Sequence, residues 1–423
     1  TTLFRSSFYL QAAEQALRGS DWATTIIHAE HGLSCGPTNE DQGTLQAVLS
    51  EAHLLSGDNR KALEYARKSL ASLTPGSRTY CRALPFIMAA GIYLGDRSAF
   101  REVMQLLMTV EPHPMALGST AMSFYLVILM QLMAGLKDVA ATYLHRLEMF
   151  FEQTSQRDPH ALGWLEASRC TWARHAEQNP YAAMQHDRAW EVQLQLAGET
   201  KYINMIRLGL GVLDAVQLGM FEAAEQRVSG REDIEAHGGV FGTITTGYHR
   251  AGLYLHMAKY EQAIECANSH VEEGRRSNNQ YHITLGRTMA IVCLCRQGKL
   301  DTAESLAREM GDPAAYPYNL AFGLCCVLAE LRLAQGDAPA AVRLAEEAQA
   351  MIRRTGVTVS YHEIDLPLIH VLALRELGDI DVYQKALEQA KSEIRSRAEK
   401  IPDPEYRRSF LAVPSRARLL ALV

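Results

Sequence analysis

The residues best suited to metal or redox chemistry occur in three short runs. HAEH places His28 and His31 on one face of a predicted helix, where two imidazoles could share a metal ion. No cysteine or aspartate completes a ligand set beside them, which favours a solvated helix face. The runs CLC at 293–295 and CC at 325–326 lie in apolar helical patterns, where free cysteine packs as a small hydrophobic residue. These runs therefore predict no metal site.

Motifs that position a catalytic group or a phosphate are absent from the sequence. It has no Gly-x4-Gly-Lys-Ser/Thr phosphate loop, no Gly-x-Ser-x-Gly elbow and no His-Glu-x-x-His zinc helix. The run GLG at 209–211 lacks the preceding strand and the third glycine of a dinucleotide site. No serine or cysteine is accompanied by a recognisable base and orienting group. We predict a chain that is not an enzyme and that has no cofactor.

Composition indicates a large core and a reduced compartment. The chain has 423 residues, 48% of them hydrophobic, and its 42 Lys and Arg against 48 Asp and Glu give a net charge of −6. This balance argues against a dedicated nucleic-acid-binding protein. The eight cysteines form no regular framework, which favours the cytoplasm. The sequence begins at Thr1 without a signal peptide, and we expect a part of a longer protein.

One apolar stretch has the composition of a membrane span. Residues 121–136 carry no charged side chain, but these 16 residues are fewer than the ~20 needed to cross a bilayer. Ser123 and Gln131 interrupt the stretch, and Lys137 ends it. We therefore predict a helix covered by neighbouring helices and no membrane partner.

A recurring turn divides the chain into helix pairs. The stretch LSGDNRKALEYA at 55–66 ends one apolar helical pattern and begins another, and similar stretches recur in the C-terminal half. Asn179 with Pro180, and Ala258, fill two longer gaps in this spacing. The ten turns are about 40 residues apart, a period that indicates a helical solenoid. Glycine stands at the other eight turns, at positions 19, 57, 95, 135, 219, 298, 336 and 378.

Each unit is predicted to be helix, turn, helix. Glycine ends the first helix because it adopts the left-handed backbone conformation at low cost, and an aspartate such as Asp58 then caps the second helix. No segment has strand periodicity, so we predict an all-α superhelical solenoid of about ten repeats in which each unit contacts only its neighbours. Small residues that let the two helices approach are Ala62, Ala66, Ala303, Ala307, Ala341 and Ala345.

The pattern Gly-Asp-x-x-x-Ala, with a second alanine four residues later, resembles the turn and second helix of a tetratricopeptide repeat (TPR). The best local match is YEQAIECA at 260–267. TPR units usually repeat at ~34 residues. The longer units here resemble arrays in large bacterial signalling proteins: maltose-regulon-activator-type signal-transduction ATPases, and the C-terminal arrays of bacterial Ser/Thr protein kinases and adenylate cyclases.

The end of the chain carries a second part of this resemblance. Residues 401–423 include RRSFLAVP and a final leucine-rich turn, which is similar to the closing signature of such arrays. The sequence therefore predicts one continuous TPR-like array over residues 1–400 and a C-terminal capping segment over 401–423.

The resemblance implies that the first helix of each unit lines a concave face. A tyrosine recurs about 17 residues before the turn, and Tyr-His pairs occur three times. Tyrosine suits binding because it offers broad contact and a polar tip. The alternative is that these rings pack between neighbouring units. The candidate binding residues are Tyr202, Tyr248, His249, Tyr281, His282, Arg287, Tyr318, Tyr361 and His362.

Two further features admit a structural or a binding interpretation. Six of the 15 methionines fall within the 30 residues 104–133, and methionine suits both loose cores and surfaces that repack around varied partners. Residues 391–418 contain eight basic and four acidic side chains. We favour core filling for the first feature, and a solvated capping helix over a nucleic-acid contact for the second.

Three functions are compatible with such an array. We favour a protein- or peptide-binding scaffold that is the sensor or regulatory region of a larger bacterial signalling protein, with that protein's N-terminal effector domains as further partners. A small-molecule sensor would instead have a closed polar pocket with aromatic walls. The third is a peptide-pheromone receptor of the Rap type, a family that places an effector module before its repeats. Here the repeats begin by about residue 3.

Overall fold

The structure, a computed structural model, describes residues 2–154, 158–199, 202, 209, 211–229 and 239–423. Over these residues the chain is all-α, with 22 α-helices and no strand. Twenty of the helices form ten helix-turn-helix pairs, and the last two end the chain. The helices are α1 (Thr2–Arg18), α2 (Trp22–Ser34), α3 (Asn39–Leu55), α4 (Asn59–Ala71), α5 (Arg78–Leu94), α6 (Arg97–Thr109), α7 (Leu117–Met133), α8 (Lys137–Gln153), α9 (Pro159–His175), α10 (Pro180–Leu196), α11 (Gly211–Gln217), α12 (Phe221–Val228), α13 (Gly239–His256), α14 (Tyr260–Arg276), α15 (Gln280–Arg296), α16 (Leu300–Met310), α17 (Tyr318–Ala334), α18 (Ala338–Thr355), α19 (Leu366–Leu377), α20 (Ile380–Glu399), α21 (Pro404–Ala412) and α22 (Pro414–Ala421).

The turns within the pairs share one backbone conformation. The residue directly before the cap of each second helix has a positive φ, and in seven turns it is the predicted glycine. Ala258 takes this conformation with φ of 57°, as its position in the pattern predicts. At the first turn the left-handed residue is Ser20 rather than Gly19, because Asp21 is the cap. Near residue 177 it is Gln178, followed by the cap Asn179.

The predicted caps and small residues occupy their expected places. Asp58 accepts a hydrogen bond from Lys61 N at 3.1 Å, and Asp337 accepts one from Ala340 N at 3.1 Å. Each such bond satisfies a backbone donor that the helix itself leaves open. The six alanines after the turns are all buried, which lets paired helices approach closely. The local pattern of the sequence therefore accounts for the architecture of each pair.

Residues 121–133 of the apolar stretch lie in helix α7, and residues 134–136 form the turn that follows it. Together with the preceding turn, residues Pro114–Met133 are long and apolar enough to cross a membrane by length and composition, and they are the single such helix in the described part of the chain. In the structure, 72% of an apolar stretch of 18 residues within this segment is buried inside the protein. This burial agrees with the prediction of a helix covered by its neighbours.

The expectation that each unit contacts only its neighbours is wrong. Thr358, before α19, donates its backbone N–H to His175 O at 3.0 Å, although 183 residues separate the two. The ring of Tyr93 on α5 stacks on that of His282 on α15, with 6.3 Å between centroids. Units from the two halves of the chain therefore come together, as a rotation repeated from unit to unit along a solenoid allows.

The sequence predicted a solvated capping helix for the basic C-terminal segment, but part of this segment is buried. Arg416 on α22 is 3% exposed and donates hydrogen bonds to Gln217 O at 2.6 Å and Phe410 O at 3.1 Å. Its guanidinium lies 3.8 Å from the centroid of the Phe410 ring. Burial lowers the pKa of Arg416 to about 9. Arg416 therefore joins the last helices to the end of α11.

Candidate ligand-binding site

A partly enclosed cavity of about 430 Å³ lies where the two halves of the superhelix meet. Helices α5, α7 and α9 line it from the N-terminal half, and α11, α13, α14, α15 and α17 line it from the C-terminal half. First helices of the pairs supply most of its wall, as the TPR resemblance implies. The lining residues are Ile92, Tyr93, Leu129, Met130, Met133, Ala134, His175, Leu213, Tyr248, His249, His270, Asn279, Tyr281, His282, Leu285, Thr288, Pro317, Asn319, Leu320, Gly323, Val359, Ser360 and Tyr361.

His175 is held rigidly at the junction of the two halves. Its side chain is 3% exposed, and Nδ1 lies 2.6 Å from the carbonyl oxygen of Thr358. A carbonyl only accepts, so Nδ1 carries the proton and Nε2 keeps its lone pair. Burial, reinforced by the adjacent charge of Arg174, lowers the pKa of His175 to about 3. His175 is therefore neutral at pH 7 and presents a fixed acceptor at Nε2.

Tyr361 and its neighbours form the deepest polar cluster of the cavity. Tyr361 is fully buried, and its hydroxyl lies 2.8 Å from Nδ1 of His249. Tyr248 contacts both rings edge-on, with centroids 5.6 Å away in each case. Burial lowers the pKa of His249 to about 3 and raises the pKa of Tyr361. All three side chains are consequently uncharged at neutral pH.

The start of α15 supplies the rim of the cavity. Asn279 caps this helix by accepting hydrogen bonds from Tyr281 N at 3.1 Å and His282 N at 3.3 Å. The hydroxyl of Tyr281 accepts a hydrogen bond of 2.6 Å from Nδ2 of Asn319 on α17. Tyr281 is 38% exposed, so it stands between the cavity and solvent. Burial lowers the pKa of His282 to about 3, which keeps it neutral too.

The structure brings together five of the nine predicted binding residues. They lie on first helices or just before one, and the tyrosine periodicity and the Tyr-His pairs together found them. Nothing in the structure tests whether they bind a ligand, so their role stays a prediction. The five that line the cavity are Tyr248, His249, Tyr281, His282 and Tyr361.

The other four predicted residues lie outside the cavity. The ring of Tyr202 packs edge-on against Trp164 at 5.2 Å, and Tyr318 donates its hydroxyl to Val357 O at 2.6 Å. Arg287 pairs with Glu309 at 3.1 Å. His362 is buried next to Tyr361 without lining the cavity. Tyr202 and Tyr318 thus make the packing contacts between parts of the array that the alternative interpretation expected.

Sequence reasoning missed the contribution of the N-terminal half. Tyr93 and His175 have no distinguishing spacing, and the sequence gives no sign that they approach α15 and residue 358. The methionine cluster did carry a signal, since Met130 and Met133 line the cavity while Met122 is buried in the core. Core filling is confirmed for Met122, and a binding role for Met130 and Met133 stays a prediction.

The cavity is suited to binding rather than to acid–base chemistry. Apart from its four histidines, none of the described residues that line it carries a charge at pH 7 by residue type, and burial lowers the pKa of His175, His249 and His282. A general base acting at pH 7 needs a pKa near that pH, far above these values. In the described part of the chain, no group of three or more His, Cys, Asp or Glu residues is arranged to hold a metal ion.

A second recess of about 730 Å³ lies beside α22 and is lined by charged residues. Arg296 there donates to both carboxylate oxygens of Glu330, at 2.7 and 3.0 Å, and to Asp365 at 2.6 Å. Because these charges satisfy one another, the network explains how α15, α17 and the segment before α19 are held together. It leaves the uncharged cavity as the better candidate site.

The sequence matches no protein-family model and no curated protein. Among solved structures, the Rap protein complexed with Competence and Sporulation Factor is similar at a TM-score of 0.54 and 15% identity, over 80% of this chain and 95% of that chain. The fold is a TPR-type superhelix. Yeast Tom70 matches at a TM-score of 0.35 and 14% identity, over 98% of this chain and 88% of that one. The Cut9–Hcn1 assembly of the APC/C matches at a TM-score of 0.37 and 12% identity, over 98% of this chain and 96% of that one.

Proposed function

We propose that this chain is a non-catalytic, TPR-type sensor or regulatory module of a bacterial signalling protein, and that its central cavity binds a compact ligand. The observation that carries the proposal is the position of the cavity. It is lined by Tyr93, Met130 and His175 from one half of the array and by α11, α13, α14, α15 and α17 from the other. A ligand bound there contacts both halves, so binding stabilises the arrangement in which they meet.

The dimensions of the cavity favour a compact ligand over a long extended segment. A volume of about 430 Å³ lies within the range of small-molecule sites, about 300–1,000 Å³, and accommodates a few peptide residues. Its aromatic and histidine walls are the feature expected of a small-molecule sensor. The Rap structure, complexed with Competence and Sporulation Factor, supports the idea that a similar fold binds another molecule.

The neutral state of the cavity supports a binding role without turnover. Burial holds the imidazoles of His175, His249 and His282 unprotonated, and burial raises the pKa of Tyr361. Such groups donate and accept hydrogen bonds but exchange protons poorly at pH 7. They are arranged to recognise a ligand.

The test is a ligand screen with a variant whose cavity is filled. Met133→Trp places a larger side chain at a lining position, and Met108→Trp makes the same change at a site that is 39% exposed and away from the cavity. A mixed library of small molecules and short peptides is screened by thermal shift against the parent chain. We expect hits that raise the midpoint of the parent and of Met108→Trp but leave Met133→Trp unchanged. Hits that stabilise all three proteins equally would contradict binding in the cavity.

A further inference from the structure

One buried acceptor in the cavity has no partner. Nε2 of His175 makes no hydrogen bond with any described residue, although the side chain is 3% exposed. The bond from Nδ1 to Thr358 O fixes the ring and leaves the lone pair on Nε2. Because Nε2 has almost no accessible surface, a ligand donor reaches it when the neighbouring side chains shift. A buried acceptor without a donor is destabilising, and a ligand that supplies N–H or O–H removes that penalty.

The lining also restricts the charge of the ligand. It contains no lysine, arginine, aspartate or glutamate among the described residues. A carboxylate or ammonium group placed there would lose water without gaining an opposite charge, which is strongly unfavourable. An uncharged ligand meets no such penalty, because phenols, amides and neutral imidazoles bond to uncharged polar groups.

Part of the wall is apolar and adaptable. Leu129, Met130 and Met133 lie on the α7 side, and Leu285 and Leu320 lie on the opposite side. Methionine side chains adjust to the shape of what they contact. An apolar group of the ligand therefore has a surface to bury next to the polar cluster.

We propose that the cavity takes an uncharged ligand in which an N–H or O–H group donates to Nε2 of His175 while an apolar group packs against Met130, Met133 and Leu320. This inference rests on the proposed function and narrows the ligand class. Two sources have this chemistry: a small organic alcohol, phenol or amide, and the interior of a peptide, whose backbone is uncharged. Free peptide termini and carboxylic acids are disfavoured.

The test uses three probes of one shape: 2-naphthol, naphthalene and 2-naphthoate. Binding is followed by the NMR signals of ¹³C-labelled methionine methyl groups, in which Met130 and Met133 report on the cavity and exposed Met108 reports on the remote surface. His175→Asn is the matched variant, because its amide still donates to Thr358 O but has no counterpart of Nε2. N-acetyltryptophan amide and zwitterionic tryptophan form a second set that examines the peptide source.

We expect 2-naphthol to bind about tenfold more tightly than naphthalene, a ratio typical of one satisfied buried hydrogen bond. His175→Asn should bring that ratio close to one, and 2-naphthoate should bind at least about tenfold more weakly than 2-naphthol. Stronger binding of the capped tryptophan than of 2-naphthol would identify a peptide interior as the source, and the reverse would identify a small molecule.

Two results would overturn the inference while leaving the proposed function intact: 2-naphthoate binding as tightly as 2-naphthol, or the preference for 2-naphthol persisting in His175→Asn. The comparison of the three probes on the parent chain remains decisive if the variant fails to fold. If no probe from either set shifts Met130 or Met133, the proposed cavity function itself is contradicted.

Discussion

Replacing His175 by asparagine removes a buried titratable group and keeps a donor for the Thr358 carbonyl. Burial, together with the charge of Arg174, holds the pKa of folded His175 at about 3, whereas an unfolded histidine titrates near 6.5. The folded pKa is lowered, so the unfolded chain binds the proton more readily. The stability that His175 contributes by remaining neutral is therefore full above pH 6.5 and is lost as the pH falls towards 3.

The size of this effect follows from the two pKa values. Between pH 7 and pH 5 the unfolded histidine becomes almost fully protonated while the folded side chain stays neutral, which costs about 2 kcal/mol of unfolding free energy. Any folded pKa below about 4 gives nearly the same result over this interval. Asparagine does not titrate. The unfolding free energy of the parent minus that of His175→Asn should therefore fall by about 2 kcal/mol on going from pH 7 to pH 5.

Urea unfolding followed by tryptophan fluorescence measures this difference locally. Trp164 and Trp172 lie on α9, the helix that ends at His175, so the signal reports on the unit that contains the mutation. Taking the difference between parent and variant removes the titration of other groups, including Asp187, whose pKa burial raises to about 7 and which acts in the opposite direction. A difference that stays within about 0.5 kcal/mol of its pH 7 value would refute the assignment of His175 as a neutral, buried group.

Two further substitutions test the packing around the cavity. Arg174 is fully buried and pairs through two 2.7 Å hydrogen bonds with buried Asp214. Arg174→Met should therefore lower the free energy of urea unfolding by about 3–5 kcal/mol. The control Arg169→Met, at a 37% exposed site, should lower it by less than about 1 kcal/mol. Equal effects would contradict a critical buried pair. A Cβ atom on Gly252 would lie 2.8 Å from the ring of Tyr361, so Gly252→Ala should lower stability in thermal unfolding by about 1–3 kcal/mol. The control Gly323→Ala, whose Cβ atom would lie 3.5 Å from its nearest neighbour, should be neutral or stabilising. Equal tolerance of the two alanines would contradict the close approach of Tyr361 to α13.

The local architecture could be predicted because residues within each helix pair determine where its helices begin and end. A left-handed residue before an aspartate cap is a property of four or five consecutive positions, and Ala258 was placed correctly from spacing alone although it is not glycine. The exception at Ser20 has the same local cause, since the cap Asp21 stands one residue later than the glycine suggests. Ala62 and Ala303 are likewise fully buried at the positions that their spacing after the turn predicts.

The cavity could be predicted only in part, because its two walls lie far apart in sequence. Tyr281 and Tyr361 are on one wall and share a periodicity, and Tyr248 on the same wall shares their Tyr-His pairing, so their association was visible. The periodicity could not separate them from Tyr202, because a tyrosine at the start of a first helix faces either the cavity or the next pair, depending on a rotation that the pattern does not record. The burial that holds the histidines neutral depends on both walls, and so it too lay beyond the reach of local spacing.

The opposite wall depends on the rotation accumulated over several helix pairs. A small change in the angle between successive pairs, repeated along the array, would move His175 away from Thr358, 183 residues later. Gly135 shows how the sequence permits the contact: a Cβ atom there would lie 2.9 Å from Thr355 and 3.1 Å from the ring of Tyr318. Its positive φ already explains glycine at that turn, so the close approach leaves no separate mark in the sequence. The contact between the two halves of this superhelix thus uses residues that also have a local role, and the local role alone explains their identity. The ligand-binding properties proposed for the cavity depend on this contact between the halves.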